Sequence, residues 1–201
     1  MRYVAGVFAV IGILAVAAAI YVFSGFYDVS ALVPHWAITL EALEVARERS
    51  IEHYSKSVSL PSQKDGKLLD AGFAHYDSMC RRCHGAPGQQ QEAFARGLYP
   101  NPPSLTGREL QNAPDREVFW IVQNGLKMTA MPAFKATHSP EEIWGILLFV
   151  RKLPAMTPAA YNDFVRRAGG EGAIVKGHKQ EHQTPAPAPP AGGPVKENPE
   201  P

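Results

Sequence analysis

Two cysteines three positions apart, followed at once by histidine, constrain this chain more than anything else in it: Cys80-Arg81-Arg82-Cys83-His84. There is no other cysteine, so no second pair can complete a four-sulfur metal site or staple a distant loop. Cysteines at this spacing serve as a redox dithiol, as half of a zinc site, or as a covalent haem attachment. A thioredoxin-like dithiol calls for a strand-to-helix context, and the flanking sequence reads as helix and loop. A zinc site needs more ligands, and there is no second cysteine pair. Haem attachment needs what is present: two thiols that can each add to a haem vinyl group, and a histidine held next to them beneath the iron. One covalently bound haem c, joined through Cys80 and Cys83 and ligated by His84, is therefore expected.

The export such chemistry normally requires is visible at the N-terminus. Val4 to Phe23 is a run of twenty residues without a charge. As a helix it would be about 30 Å long, the thickness of a bilayer core. Arg2 precedes it and Asp28 is the first charge after it. The positive-inside tendency then places Met1 in the cytoplasm and everything after Ser24 across the membrane. Tyr3 at one end, and Tyr21, Phe23, Phe26 and Tyr27 at the other, suit interfacial positions. The segment reads as a retained anchor; the small residues of Ala15–Ala19 leave a cleaved signal peptide as the alternative. Either way the rest of the chain is sent across the membrane; with the anchor retained, the expected location is a bacterial inner membrane, crossed by a single pass, with the haem domain facing the periplasm. A net charge of +1 gives no reason to expect a nucleic-acid partner.

Four regions follow from the pattern: a transmembrane anchor over 1–27, a linker and amphipathic helix over 28–60, a haem domain over 61–168, and a Pro-, Gly- and Ala-rich disordered tail over 169–201. In the second, Trp36, Leu40, Leu43, Ala46, Ile51 and Tyr54 recur at helical steps from His35 to about Lys56, and Pro34 suits the start. In the third, one helix is expected from about Asp65 to Met79, with Leu68, Leu69, Gly72, Phe73 and Tyr76 on one face. Residues 86–113 read as loop with at most a short helix, and Asp115–Asn124 as a further helix. Ser139-Pro140-Glu141-Glu142 is a capping box opening another, which runs to Leu153-Pro154. Thr157-Pro158 starts a last helix to about Arg167. No strand pattern and no internal repeat stand out, so the fold class is all-α.

The iron's sixth ligand must come from elsewhere in the chain. Met131 and Met128 share the loop Gly125–Phe134, and Met131 is the better candidate because Pro132 stiffens the backbone that presents its sulfur. Met79 reads as a core or surface residue, Met156 as packing, His138 as a surface residue ahead of a helix cap, and His75 as an ordinary helical residue. The remaining histidines lie in the upstream helix or the tail.

These residues together resemble the monohaem class I-type cytochrome c domain. The resemblance covers roughly residues 64–154: Gly72-x-x-x-Tyr76-x-x-x-Cys80-x-x-Cys83-His84-Gly85, then Asn124-Gly125 through Met131-Pro132-Ala133-Phe134, then Trp144 to Leu153. It implies a small helical fold around one haem, with its first and last helices crossing closely, Gly72 opposite Phe149 or Trp144. It also implies a carbonyl hydrogen-bonded to the free ring nitrogen of His84, for which Pro103 is the candidate. Tyr99, Asn101, Arg108 and Trp120 are candidates for the haem propionates. Arg81 and Arg82 are either a frame for partner docking or two solvated charges.

With His84 below and Met131 above, the iron has no open position. That favours single-electron transfer over catalysis, to protein redox partners or to other subunits of a membrane electron-transfer complex of the respiratory or dehydrogenase kind. The alternative is a haem-based sensor or small-ligand enzyme with a labile methionine.

Overall fold

The computed structural model describes residues 2–62 and 66–168. They fall into two compact units that part between Val45 and Ala46. The 169–201 tail lies outside the described residues. Among the described residues there is no strand, only an isolated bridge between Ala86 and Gln89.

The first unit contains α1 (Arg2–Phe23), whose Tyr3–Phe23 stretch is long and apolar enough to cross a membrane. A turn-rich linker follows, and then the start of α2 (Ala37–Ser55). The helix begins two residues later than the expected His35. His35 is held outside it by the Tyr27 hydroxyl, 3.1 Å from its Nδ1, and the first helical bonds run to the carbonyl of Trp36. The apolar residues of this half of α2 are not buried: Ile38, Leu40, Leu43 and Val45 are all exposed.

The second unit takes in the C-terminal end of α2, where Ile51 and Ser55 are buried and Tyr54 stacks on Trp120 with ring centroids 6.0 Å apart. The remaining helices are α3 (Gly66–His75), α4 (Arg81–His84), α5 (Arg108–Asn112), α6 (Asp115–Asn124), α7 (Pro140–Val150) and α8 (Pro158–Arg167). The expected starts of the last three hold, and so do the stops of α6 and α8; α7 ends at Val150, short of the expected Leu153-Pro154, which instead forms a separate 3-10 turn, Leu153–Ala155. The capping box of Ser139 and Glu142 is complete, and the Thr157 hydroxyl caps α8 by accepting from Ala160 N–H.

The main packing event is the crossing of α3 and α7. It is closer than the resemblance implied, and it involves a different pair. Gly72 faces not an aromatic side chain but the backbone of Gly145: a Cβ on Gly72 would lie 2.0 Å from the Gly145 carbonyl oxygen. Phe149, one turn further along α7, instead meets Phe73, Tyr76, Tyr161 and Phe164 in an aromatic core. A second cluster joins α6 to α7 through Val118, Phe119, Ile143, Trp144 and Leu147. Arg151 pins the far side. Its guanidinium donates to Asp115 Oδ1 at 2.9 Å and to the carbonyls of Leu110 and Ala113 at 2.6 Å each.

Candidate functional site

The helix expected to run unbroken to Met79 ends as α3 at His75 and continues as a π-helical turn, Tyr76–Cys80, closed by the Arg81 N–H on the Tyr76 carbonyl. Wide turns of this kind mark places where a helix makes room for an inserted function. Here Tyr76 and Asp77, adjacent in sequence, are both buried. The Tyr76 hydroxyl donates to the Gly85 carbonyl at 2.6 Å. The Asp77 carboxylate accepts from the Tyr161 hydroxyl at 2.6 Å and pairs with Arg81 Nε at 3.1 Å. Both ends of the Cys80–His84 segment are thus tied into the core.

Cys80 and Cys83 are free thiols, both half-buried. Burial, and the proximity of Cys83, push the Cys80 thiol up to about 12, so it stays protonated at neutral pH. His84 Nδ1 lies 2.8 Å from the Pro103 carbonyl oxygen. A carbonyl only accepts, so Nδ1 carries the proton and Nε2 is left with its lone pair for a metal. Burial lowers the His84 pKa and the Pro103 hydrogen bond opposes it, the net direction being down. Neutral imidazole is the form that ligates. The Pro103 loop is steadied by Gln91 Nε2, which donates to the neighbouring Pro102 carbonyl at 2.8 Å. A cleft of about 510 Å³ opens beside His84, lined by Tyr76, residues 85–91, Arg96 and residues 104–106. Met131 does not line it, so it is not by itself the space between His84 and Met131.

The loop after α6 separates its two methionines. Gly125 turns the chain at φ +66°, and a Cβ there would strike the Met131 carbonyl at 2.7 Å. Leu126 N–H donates to that same carbonyl at 3.2 Å. Thr129 Oγ1 accepts from Met131 N–H at 3.0 Å and donates to the Leu126 carbonyl at 2.8 Å. Met131 is half-buried at the centre of this network. Met128 takes a left-handed backbone, φ +59°, and is 70% exposed.

Other candidates fall differently from expectation. His138 is buried, not on the surface, with its ring against His75 and Phe134 and its Nδ1 2.8 Å from Thr137 Oγ1. Arg81 turns inward to Asp77 and Gln89, so only Arg82 is exposed, and it pairs with Glu92 at 3.1 Å. Of the propionate candidates, Trp120 has its ring against Tyr54, and Asn101 and Arg108 are exposed. Asp77 and Tyr161 were missed as site residues. A tyrosine inside a short terminal helix carries no local signal of a carboxylate 84 residues away.

Residues 67–150, less than half of the chain, match the family model described as cytochrome C oxidase, cbb3-type, subunit III. The matched region is a monohaem c-type cytochrome domain. Such a domain implies a covalently bound haem c and a role in electron transfer. A search of the curated proteins found no match. The cytochrome domain begins just inside α3 and ends with α7, so α1, α2 and α8 lie outside the match. The residues present fit the haem: two free thiols, a histidine with one nitrogen already committed, and a methionine loop braced by its own backbone.

Proposed function

We propose that this chain is a membrane-anchored electron relay. Its haem would be joined to Cys80 and Cys83, with His84 Nε2 and the Met131 sulfur as axial ligands and the haem domain on the periplasmic side. The observation that carries this reading is the 2.8 Å contact of His84 Nδ1 with the Pro103 carbonyl, which leaves Nε2 to the iron. Bound there, the haem supplies a one-electron couple. The chain's part is to fill both axial positions, keep water from the iron and hold the surroundings rigid, so that little rearranges between oxidation states.

The family model names an oxidase subunit, and α1 is suited to tethering. Both support a place as a carrier, or as the cytochrome subunit of a respiratory or dehydrogenase complex, with protein redox partners docking weakly at an exposed haem edge. The test is the absorbance spectrum of the purified full-length chain after reduction, with and without carbon monoxide. A low-spin spectrum unmoved by the gas is expected. Rapid conversion to a carbonyl adduct would replace the relay reading with a sensor or small-ligand enzyme.

A further inference from the structure

Between Tyr3 and Leu40 the chain carries one formal charge, Asp28. Only part of that stretch is α1. The thirteen residues from Ser24 to Trp36 could reach ~45 Å if extended, far above a bilayer surface. They do not rise. Trp36 stacks on Tyr21, centroids 6.3 Å apart and planes 26° from parallel, and Tyr21 lies in the last turn of α1. Tyr27 packs edge-on against the same Tyr21 ring at 6.2 Å, and its hydroxyl meets His35 Nδ1 at 3.1 Å. The linker is therefore a closed loop brought back to the level where the helix ends.

Its backbone groups are partly satisfied from within. Ser24 Oγ donates to the Tyr21 carbonyl, Asp28 accepts from Ser30 N–H, and Val33 N–H donates to the Ser30 carbonyl. What the loop presents outward is apolar: Phe26 is 81% exposed, Val29 88% and Leu32 87%. Apolar side chains on a loop with internal hydrogen bonds, continuous with an apolar helix and braced by tyrosine and tryptophan, match the headgroup boundary of a bilayer. Aromatic rings with one polar edge settle there, and apolar side chains beside them enter by ~5–10 Å.

We propose that residues 24–36 form a membrane-interface collar. Phe26, Val29 and Leu32 insert among the lipids of the leaflet at the C-terminal end of α1, and the Tyr21–Tyr27–Trp36 cluster sits at headgroup level. The collar rests on the reading of α1 as a membrane span. It fixes the depth at which α2 departs from the bilayer, which a single unbraced helix would leave free to slide and tilt.

The test uses full-length holoprotein carrying one added cysteine, labelled with an environment-sensitive fluorophore and reconstituted into phosphatidylcholine vesicles. The acyl chains are either plain or brominated near the headgroup end, and the unsubstituted chain sets the labelling background. Comparing the two lipids cancels any quenching by the haem. Labels at Leu32→Cys and Val29→Cys are expected to lose most of their emission in brominated lipid, and a label at Ser57→Cys none. An Ile13→Cys label, at the middle of the span, is read against a third lipid brominated near the acyl-chain terminus and reports on the span itself. If Ile13→Cys is quenched while both loop labels match Ser57→Cys, the collar is wrong and the anchor stands. If Ile13→Cys is also unquenched, the anchor reading falls and the collar with it.

Discussion

The Tyr161 hydroxyl donates to Asp77 Oδ1 at 2.6 Å, joining the last described helix to the turn that leads into the cysteine pair. Tyr161 is fully buried and Asp77 is 5% exposed. Burial, and then the Asp77 hydrogen bond, hold the Tyr161 hydroxyl protonated well above its ordinary range, so it is a donor at every working pH. Tyr161→Phe strands a buried carboxylate with Arg81 alone. The expected cost is about 1–3 kcal/mol, seen as a fall in Tm of about 4–8 °C per kcal/mol for a domain this size. Because both groups share one bond, Asp77→Asn combined with Tyr161→Phe should cost less than the two singles together. Strict additivity in thermal unfolding would show that the contact contributes nothing.

The α3–α7 crossing gives a prediction with an order built in. A methyl on Gly72 meets backbone at 2.0 Å, which no rotamer can relieve, whereas a methyl on Gly145 meets the Leu68 carbonyl at 2.8 Å. Overpacking typically costs about 1–3 kcal/mol. Gly72→Ala is expected at or beyond the upper end, with little haem-loaded protein recovered, and Gly145→Ala at the lower. Holoprotein yield and thermal midpoint check it, and a Gly72→Ala variant as stable as the parent would contradict the crossing.

How much of this was legible beforehand follows from the range of each interaction. The starts of α7 and α8 could be read because caps act within four residues, Ser139 on Glu142 and Thr157 on Ala160, whereas α7 stops three residues before the Leu153-Pro154 breaker. The cysteine pair and His84 stand out in the sequence because covalent haem attachment would demand that spacing. Gly72 could be recognised as a close-approach residue, but its partner could not, since crossing register depends on how two helices rotate against each other. The π-turn is invisible to a 3.6-residue periodicity. His138 was misjudged because burial before a helix cap depends on Phe134 and His75 arriving from elsewhere.

Glu142 provides a pH prediction. Burial alone would raise its pKa, but hydrogen bonds from Ser139 N–H and Oγ, with His75 and His138 nearby, hold it below the ordinary carboxylate range. A depressed folded pKa contributes stability that is complete above the unfolded value of about 4.3 and is lost as pH falls through the folded one. Glu142→Ala should therefore cost about 0.5–1.5 kcal/mol at neutral pH, and the gap from the parent should narrow below pH ~4. Chemical denaturation at a series of pH values measures it; a gap constant down to strong acid would remove the carboxylate from the account.

The sixth ligand is decided by comparing the two methionines of one loop. Met131 is half-buried, with its N–H taken by Thr129 Oγ1, its carbonyl by Leu126 N–H, and Pro132 fixing the next φ. Met128 points out from a left-handed turn. Loss of a thioether ligand lowers the potential, since the soft sulfur favours the reduced iron. Met131→Ala is expected to lower the midpoint by on the order of 0.1 V and to admit carbon monoxide to the reduced protein, while Met128→Ala leaves both unchanged. Thr129→Val keeps the sulfur but removes the acceptor of Met131 N–H and the donor to Leu126. It should loosen the loop, giving slow carbon monoxide binding with a nearly parental potential. If Met128→Ala instead opens the iron, the loop must turn its other methionine inward, and the hydrogen bonds around Met131 serve the turn alone.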